Sequence, residues 1–181
     1  MPKGIKGFTV WLTGLSGAGK TTLATCLAGA LREREIPVEL LDGDQFRSHL
    51  SRGLGFSKED RDTNVRRIGH VCHLLNYHGI VAVVAAIAPY RDTRKEVREM
   101  CAGRFVEVYL TCPLDILIQR DRKGLYKRAL GGELKQFTGI SDPYEPPPHP
   151  ELVLETNREA PHESLEKLIA RLRELSYLTS Q

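Results

Sequence analysis

Eight consecutive residues, Gly14-Leu15-Ser16-Gly17-Ala18-Gly19-Lys20-Thr21, fit the phosphate-binding loop pattern G-x-x-x-x-G-K-[ST] without a gap. The flanks agree with it. Residues 8–12 are a short β-branched and aromatic run that reads as a buried strand. After the loop, Leu23, Leu27, Ala30 and Leu31 recur at helical spacing up to a stop near Pro37. A strand, a glycine-rich turn and a helix in that order make backbone N–H groups converge on an anion, and the helix N-terminus adds partial positive charge. In such a loop Lys20 reaches the β- and γ-phosphates and the Thr21 hydroxyl can hold Mg²⁺. The chain is therefore expected to bind a nucleoside triphosphate.

The remainder repeats the strand–helix alternation. Residues 38–41 read as a second strand that delivers Asp42-Gly43-Asp44 to its C-terminal end. Ser57-Lys58-Glu59-Asp60 has the form of a capping box, opening a helix with Val65, Ile68, Cys72 and Leu75 on one face and an end near Gly79. Residues 80–87 are continuously apolar, as in a parallel strand buried on both faces. A helix over 92–100, a strand over 104–111, a helix from Pro113 to about 121 and a short strand over 151–156 follow. Leu165, Leu168, Ile169, Leu172 and Leu175 form the stripe of a closing helix. This rhythm predicts a three-layer α/β domain, the P-loop nucleoside-triphosphate hydrolase/kinase fold, with a five-stranded parallel sheet. One domain over residues 1–181 suits the length and the 41% hydrophobic content.

Other classes fit poorly. A net charge of +3 without basic and aromatic interleaving argues against nucleic acid as a partner. The longest apolar run is too short to cross a bilayer, and the phosphate loop begins too early for a signal peptide. Cys26, Cys72, Cys101 and Cys112 lack C-x-x-C pairing, which suits reduced thiols and a cytoplasmic setting. His70, His73 and His78 share one helix, but no acidic or thiol partner stands at ligand spacing.

In a parallel sheet the ligand lies beyond the C-terminal strand ends. Asp42 and Asp44 are the carboxylates delivered there early in the chain. One could bind Mg²⁺ through water, and one could accept a proton from an attacking hydroxyl. The competing reading is a turn at Gly43 with Asp44 capping the next short helix. Arg47, Arg61, Arg66, Arg67 and Arg91 fall in segments near the same face, and together they point to an anionic acceptor. Arg61 and Asn64 are one helical turn apart and can reach one cleft.

From about 120 to 150 the periodicity is lost. Over 120–135, Arg120, Arg122, Lys123, Lys127, Arg128 and Lys135 face only Asp121 and Glu133, and five of the ten prolines close the stretch. Such a loop in a compact domain reads as a lid, here a basic one folding over phosphates, with Phe137 as a stacking surface.

These motifs resemble the adenylylsulfate (APS) kinase family over nearly the whole chain. The resemblance is carried by residues 14–22, Leu41-Asp42-Gly43-Asp44 with Arg47, Leu54-Gly55-Phe56-Ser57, and Asp60-Arg61 with 64–69. Pro89-Tyr90-Arg91, 123–127, 137–140 and 142–146 complete it. It implies an ATP-dependent enzyme that moves the γ-phosphoryl group to the ribose 3′-hydroxyl of APS, giving PAPS and ADP. It further implies that residues 14–22, with Thr22, bind ATP, that Thr21 and Asp42 serve Mg²⁺, and that Lys20, Asp42 and Asp44 carry the chemistry. Asp44, Arg47, Arg61, Asn64, Lys123 and Leu125 would hold APS, Phe56 and Phe137 would sandwich its adenine, and Ile87 would give a backbone contact. No membrane partner is implied, and a homodimer is compatible with it. Two departures stand out. Ala88 occupies the place of a serine proposed to become phosphorylated, so transfer here is expected to be direct. Arg122 replaces a usual proline.

Two rivals remain. A sugar or shikimate-type kinase would share the loop and lid but not Phe56, Arg61 and Asn64. A GTPase-type switch would need N-K-x-D, which is absent.

Overall fold

The computed structural model describes residues 6–121 and 123–179. Arg122 lies outside them. Five parallel strands, β1 (Thr9–Thr13), β2 (Val38–Asp42), β3 (Val81–Ala85), β4 (Phe105–Thr111) and β5 (Leu152–Glu155), stand in the order β2-β3-β1-β4-β5. The helices are α1 (Lys20–Arg32), α2 (Gly43–Ser48), α3 (Lys58–Tyr77), α4 (Arg91–Met100), α5 (Leu114–Gln119), α6 (Leu125–Leu130) and α7 (Pro161–Glu174). Thr9 of β1 registers with Ala82 of β3 on one side and Phe105 of β4 on the other. The phosphate loop thus leaves the central strand, flanked by the exits of β3 and β4.

Alternation along the strands divides the core. Val10, Leu12, Val83, Val106 and Val108 pack on Leu23, Leu27 and Leu31 of α1 and on Leu168 and Leu172 of α7. Trp11, Ala82 and Val84 meet Val65, Ile68 and Cys72 of α3 and Val97 of α4. Each fully buried aliphatic side chain contributes about 1.5 to 3 kcal/mol of transfer free energy. These two layers explain why the apolar stripes of α1, α3 and α7 were readable from spacing alone.

Three boundaries differ from the sequence reading. Only half of the capping box forms: Ser57 accepts the Asp60 N–H at 3.1 Å, while the Asp60 carboxylate turns to the Gly55 N–H at 2.9 Å. Asp42 rather than Asp44 caps α2, accepting the N–H groups of Asp44 and Gln45. β3 ends at Ala85, short of residue 87, and three residues later Ala88 takes a φ of +45° that a strand cannot contain.

The 120–150 stretch is more ordered than a loop. It contains α6, whose Tyr126 is buried, and Thr138 is buried as well. Two buried anchors are enough to seat the segment on the domain. Among the described residues no helix is long and apolar enough to cross a membrane.

Candidate active site

Backbone conformation comes first in building the loop. Gly14 has φ +142°, and a Cβ there would collide with the Leu110 carbonyl. Gly19 is the N-cap of α1 at φ +91°, and no side chain among the described residues caps that helix. Its first N–H groups are therefore left for an anion. Lys20 donates to the Gly14 and Leu15 carbonyls at 2.9 and 2.7 Å, folding its ammonium over the loop. Burial lowers that ammonium to about 8, against the opposing pull of Asp44 and Asp42. Ala18 is fully buried under the turn, and the half-buried Leu15 and Ser16 meet the lid.

A lowered lysine has a measurable consequence. A triphosphate restores the charged form, so binding at pH 8.5 should take up about half a proton or more per site, and the uptake should fade as pH drops below the free-state value near 8. Calorimetry of ATP binding, without an acceptor, in buffers of different ionisation enthalpy measures this. Zero uptake at pH 8.5 would reject the assignment.

Next to the loop stands Asp42 at the exit of β2. Its Oδ2 accepts the Thr21 hydroxyl at 2.9 Å, and its Oδ1 holds the start of α2. Thr21 and Asp42 therefore bring two hard oxygen atoms together at the surface beside Lys20, a set that could hold a cation. Asp44 lies two residues further, in the first turn of α2, with its side chain 80% exposed, and Lys123 from the lid donates to it at 2.9 Å.

The lid reaches the loop through its own residues. The Tyr126 hydroxyl donates to the Ser16 carbonyl at 2.8 Å, and burial raises that phenol to about 12, so it stays a donor. Gly139 packs against the Leu15 side chain. Phe137 is half-buried, edge-on to Tyr126 with centroids 5.0 Å apart. Leu125 begins α6 beside Lys123.

Arg61 is buried and its donors go to the protein. It bonds the Phe56 and Gln136 carbonyls, the Thr138 hydroxyl and the Asp142 carboxylate. The Phe56 ring, 51% exposed, lies under both the Arg47 and Arg61 guanidiniums at 4.6 and 5.5 Å. Arg61 thus brings the Phe56 ring and the backbone beside Phe137 to one place. Asn64 is buried with an Oδ1 that has no partner among the described residues, an acceptor open to a ligand's donor. The Ile87 carbonyl accepts from the Thr13 hydroxyl at 2.6 Å.

The anion-facing set is smaller than five arginines. Arg66 pairs bidentately with Glu96, Arg67 bonds the Leu50 carbonyl, and Arg91 bonds the Pro146 carbonyl. Arg66 and Arg67 line a groove of about 430 Å³ with Leu50, His70 and Val71, apart from the phosphate loop. Within the basic lid, Arg120 bonds Thr156 and Arg128 pairs with Glu133, so Lys123 is the described lid cation that meets a site carboxylate. Charge counting could not separate these partners, because most of them are distant in sequence; Glu133, five residues from Arg128, is the exception. Thr13, Tyr126, Thr138, Asp142 and Tyr144 were given no role from sequence, although four of them sit inside the family-like motifs.

Comparison with known proteins agrees with this geometry. The family model described as Adenylylsulphate kinase matches residues 6–155. The adenylyl-sulfate kinase of Chloroflexus aurantiacus is 59% identical over 175 residues, 97% of this chain and 94% of the relative. The Mycobacterium tuberculosis APS kinase CysC, solved in complex with AMPPNP and APS, superposes with a TM-score of 0.89 at 40% identity, covering 94% of this chain and 99% of that one. The hexameric APS kinase from Thiobacillus denitrificans gives a TM-score of 0.74 at 41% identity over 96% of this chain and 30% of that longer one. A phosphate loop, a family model matching residues 6–155 and this degree of identity over nearly the full length place the chain in the adenylylsulfate kinase family.

Proposed function

We propose that the chain transfers the γ-phosphoryl group of ATP to the 3′-hydroxyl of APS, acting as one P-loop kinase domain with residues 120–150 as its lid. The observation that carries this reading is the Thr21–Asp42 contact at 2.9 Å beside Lys20, with the Asp44–Lys123 pair next to it. The Mycobacterium relative, solved in complex with the ATP analogue AMPPNP and with APS, supports this reading. Lys20 and the free N–H groups of α1 bind the triphosphate and meet the charge that develops on the transferred group. Thr21 and Asp42 suit Mg²⁺, which takes oxygen ligands together with substrate phosphates and would neutralise phosphate charge when bound. Asp42 also draws the proton from the 3′-hydroxyl as the new O–P bond forms and the bond to the β-phosphate oxygen breaks. Asp44, Arg47, Asn64, Lys123 and Leu125 hold APS, with the Phe56 and Phe137 rings about its adenine. Arg61 contributes mainly by holding that cleft together. Free thiols at all four cysteines suit a reducing cytoplasm, and the hexameric relative favours self-association.

ATP consumption measured with APS against a panel of sugars and nucleotides tests the reading. Turnover with a sugar and none with APS would reject it. The same assay addresses Ala88, which is buried, has no side-chain oxygen and uses its carbonyl to accept from Arg94. Direct transfer needs no hydroxyl there, so Ala88→Ser should leave the forward rate within about tenfold, or 1.4 kcal/mol of barrier. A gain of several orders of magnitude, with a phosphorylated enzyme in the mass spectrum, would sink direct transfer.

A further inference from the structure

We propose that Thr13 and Tyr144 are positioning residues that hold the Ile87 peptide and the 136–146 arm in register with the phosphate loop. The inference rests on the transfer reading above and concerns how the acceptor's half of that site is held.

Thr13 is the last residue of β1, directly before Gly14, and it is fully buried. Its hydroxyl lies 2.6 Å from the Ile87 carbonyl and 2.9 Å from the Tyr144 hydroxyl. A threonine has one hydroxyl proton, and the carbonyl can only accept. The proton therefore goes to Ile87, and Tyr144 must donate to Thr13. Burial pushes the Tyr144 phenol up, which keeps it in the donating form. One chain of two hydrogen bonds consequently joins the arm, the root of the phosphate loop and the exit of β3.

Everything around Tyr144 fixes it in this place. Its ring stacks on Tyr109 of β4 at 5.9 Å and lies under the Arg94 guanidinium. Glu145 accepts the Arg91 N–H with its carboxylate, supplying the cap that Tyr90 does not give α4, and its N–H donates to the Pro89 carbonyl. Arg94 binds the Glu145 and Ala88 carbonyls together. At the other end of the arm, Arg61 holds Gln136, Thr138 and Asp142. The arm carrying Phe137 is thus pinned at two ends, and of the two only the Tyr144 end is bonded directly to the root of the phosphate loop. Angular errors at this end displace the acceptor relative to the triphosphate, and in-line transfer is sensitive to such displacement.

The test compares Tyr144→Phe, Thr13→Val and Thr13→Ser by steady-state kinetics, with amide exchange over residues 136–146. Tyr144→Phe keeps the ring stack and Thr13→Val keeps the shape, so each removes only the hydroxyl. Both should raise KM for APS about tenfold, equivalent to 1.4 kcal/mol, with KM for ATP within about twofold. Exchange in the arm should quicken, and Thr13→Ser should behave like the parent. If Thr13→Val does not fold, Tyr144→Phe decides alone. Unchanged KM for APS, or an equal rise in both KM values, overturns the proposal even if exchange quickens. A parent enzyme inert toward APS would reject the transfer reading instead, and unchanged exchange in Tyr144→Phe would then reject the strap by itself.

Discussion

Lys20→Ala is expected to lower kcat/KM for phosphoryl transfer by at least about 10³-fold, or 4 kcal/mol of transition-state stabilisation, with a thermal midpoint close to that of the parent. The argument for the first half is electrostatic. Lys20 is the basic side chain folded over the loop, and under the transfer reading its ammonium meets the negative charge that builds on the β-phosphate oxygen as the bond to the γ-phosphoryl group breaks. The argument for the second half is that this ammonium is held at a cost. Burial has lowered it to about 8, so the folded chain loses little when it is removed, and its two acceptors, the Gly14 and Leu15 carbonyls, can turn to water. Single-turnover rates and a calorimetric melt measure both quantities. A folded Lys20→Ala protein with near-parental turnover would show that the triphosphate is bound elsewhere.

The second large effect is expected at Asp42. Asp42→Asn should reduce the single-turnover rate at least about 10²-fold while changing stability by no more than about 1 kcal/mol, because asparagine caps a helix as well as aspartate does. The two oxygens of this side chain have different partners. Oδ1 caps α2 through the N–H groups of Asp44 and Gln45, and asparagine retains that oxygen. Oδ2 faces the Thr21 hydroxyl, and there the substitution removes charge and the ability to take a proton. Asp42→Ala would lose the cap as well and provides the contrast. The magnesium dependence of the rate should weaken in the asparagine variant. Retention of more than a tenth of the parental rate would remove Asp42 from the chemistry.

The two kinds of residue in this site differ in how far they could be read from the chain. Lys20, Thr21 and the loop glycines act within one turn of the backbone, so their spacing was itself the geometry. Asp42 was placed correctly for a related reason: a strand predicted from its apolar run ends there, and strand ends in a parallel sheet share one edge. The lid was less legible. Its basic residues promised phosphate contacts, yet Arg120 and Arg128 are taken by neighbours, and it is Tyr126, a buried phenol on a six-residue helix, that touches the loop. Short helices and single anchors leave no periodic trace in a sequence.

Local order determined the sheet, its helices and the phosphate loop, because alternation, helical stripes and glycine turns are properties of neighbouring residues. Side-chain partnership was decided only by the tertiary structure. Arg61 meets Thr138 and Asp142 from 77 and 81 positions away, and Thr13 meets Tyr144 from 131. Whether a buried guanidinium faces a substrate or the protein itself depends on which acceptors packing brings within about 3 Å, and no spacing along the chain encodes that distance.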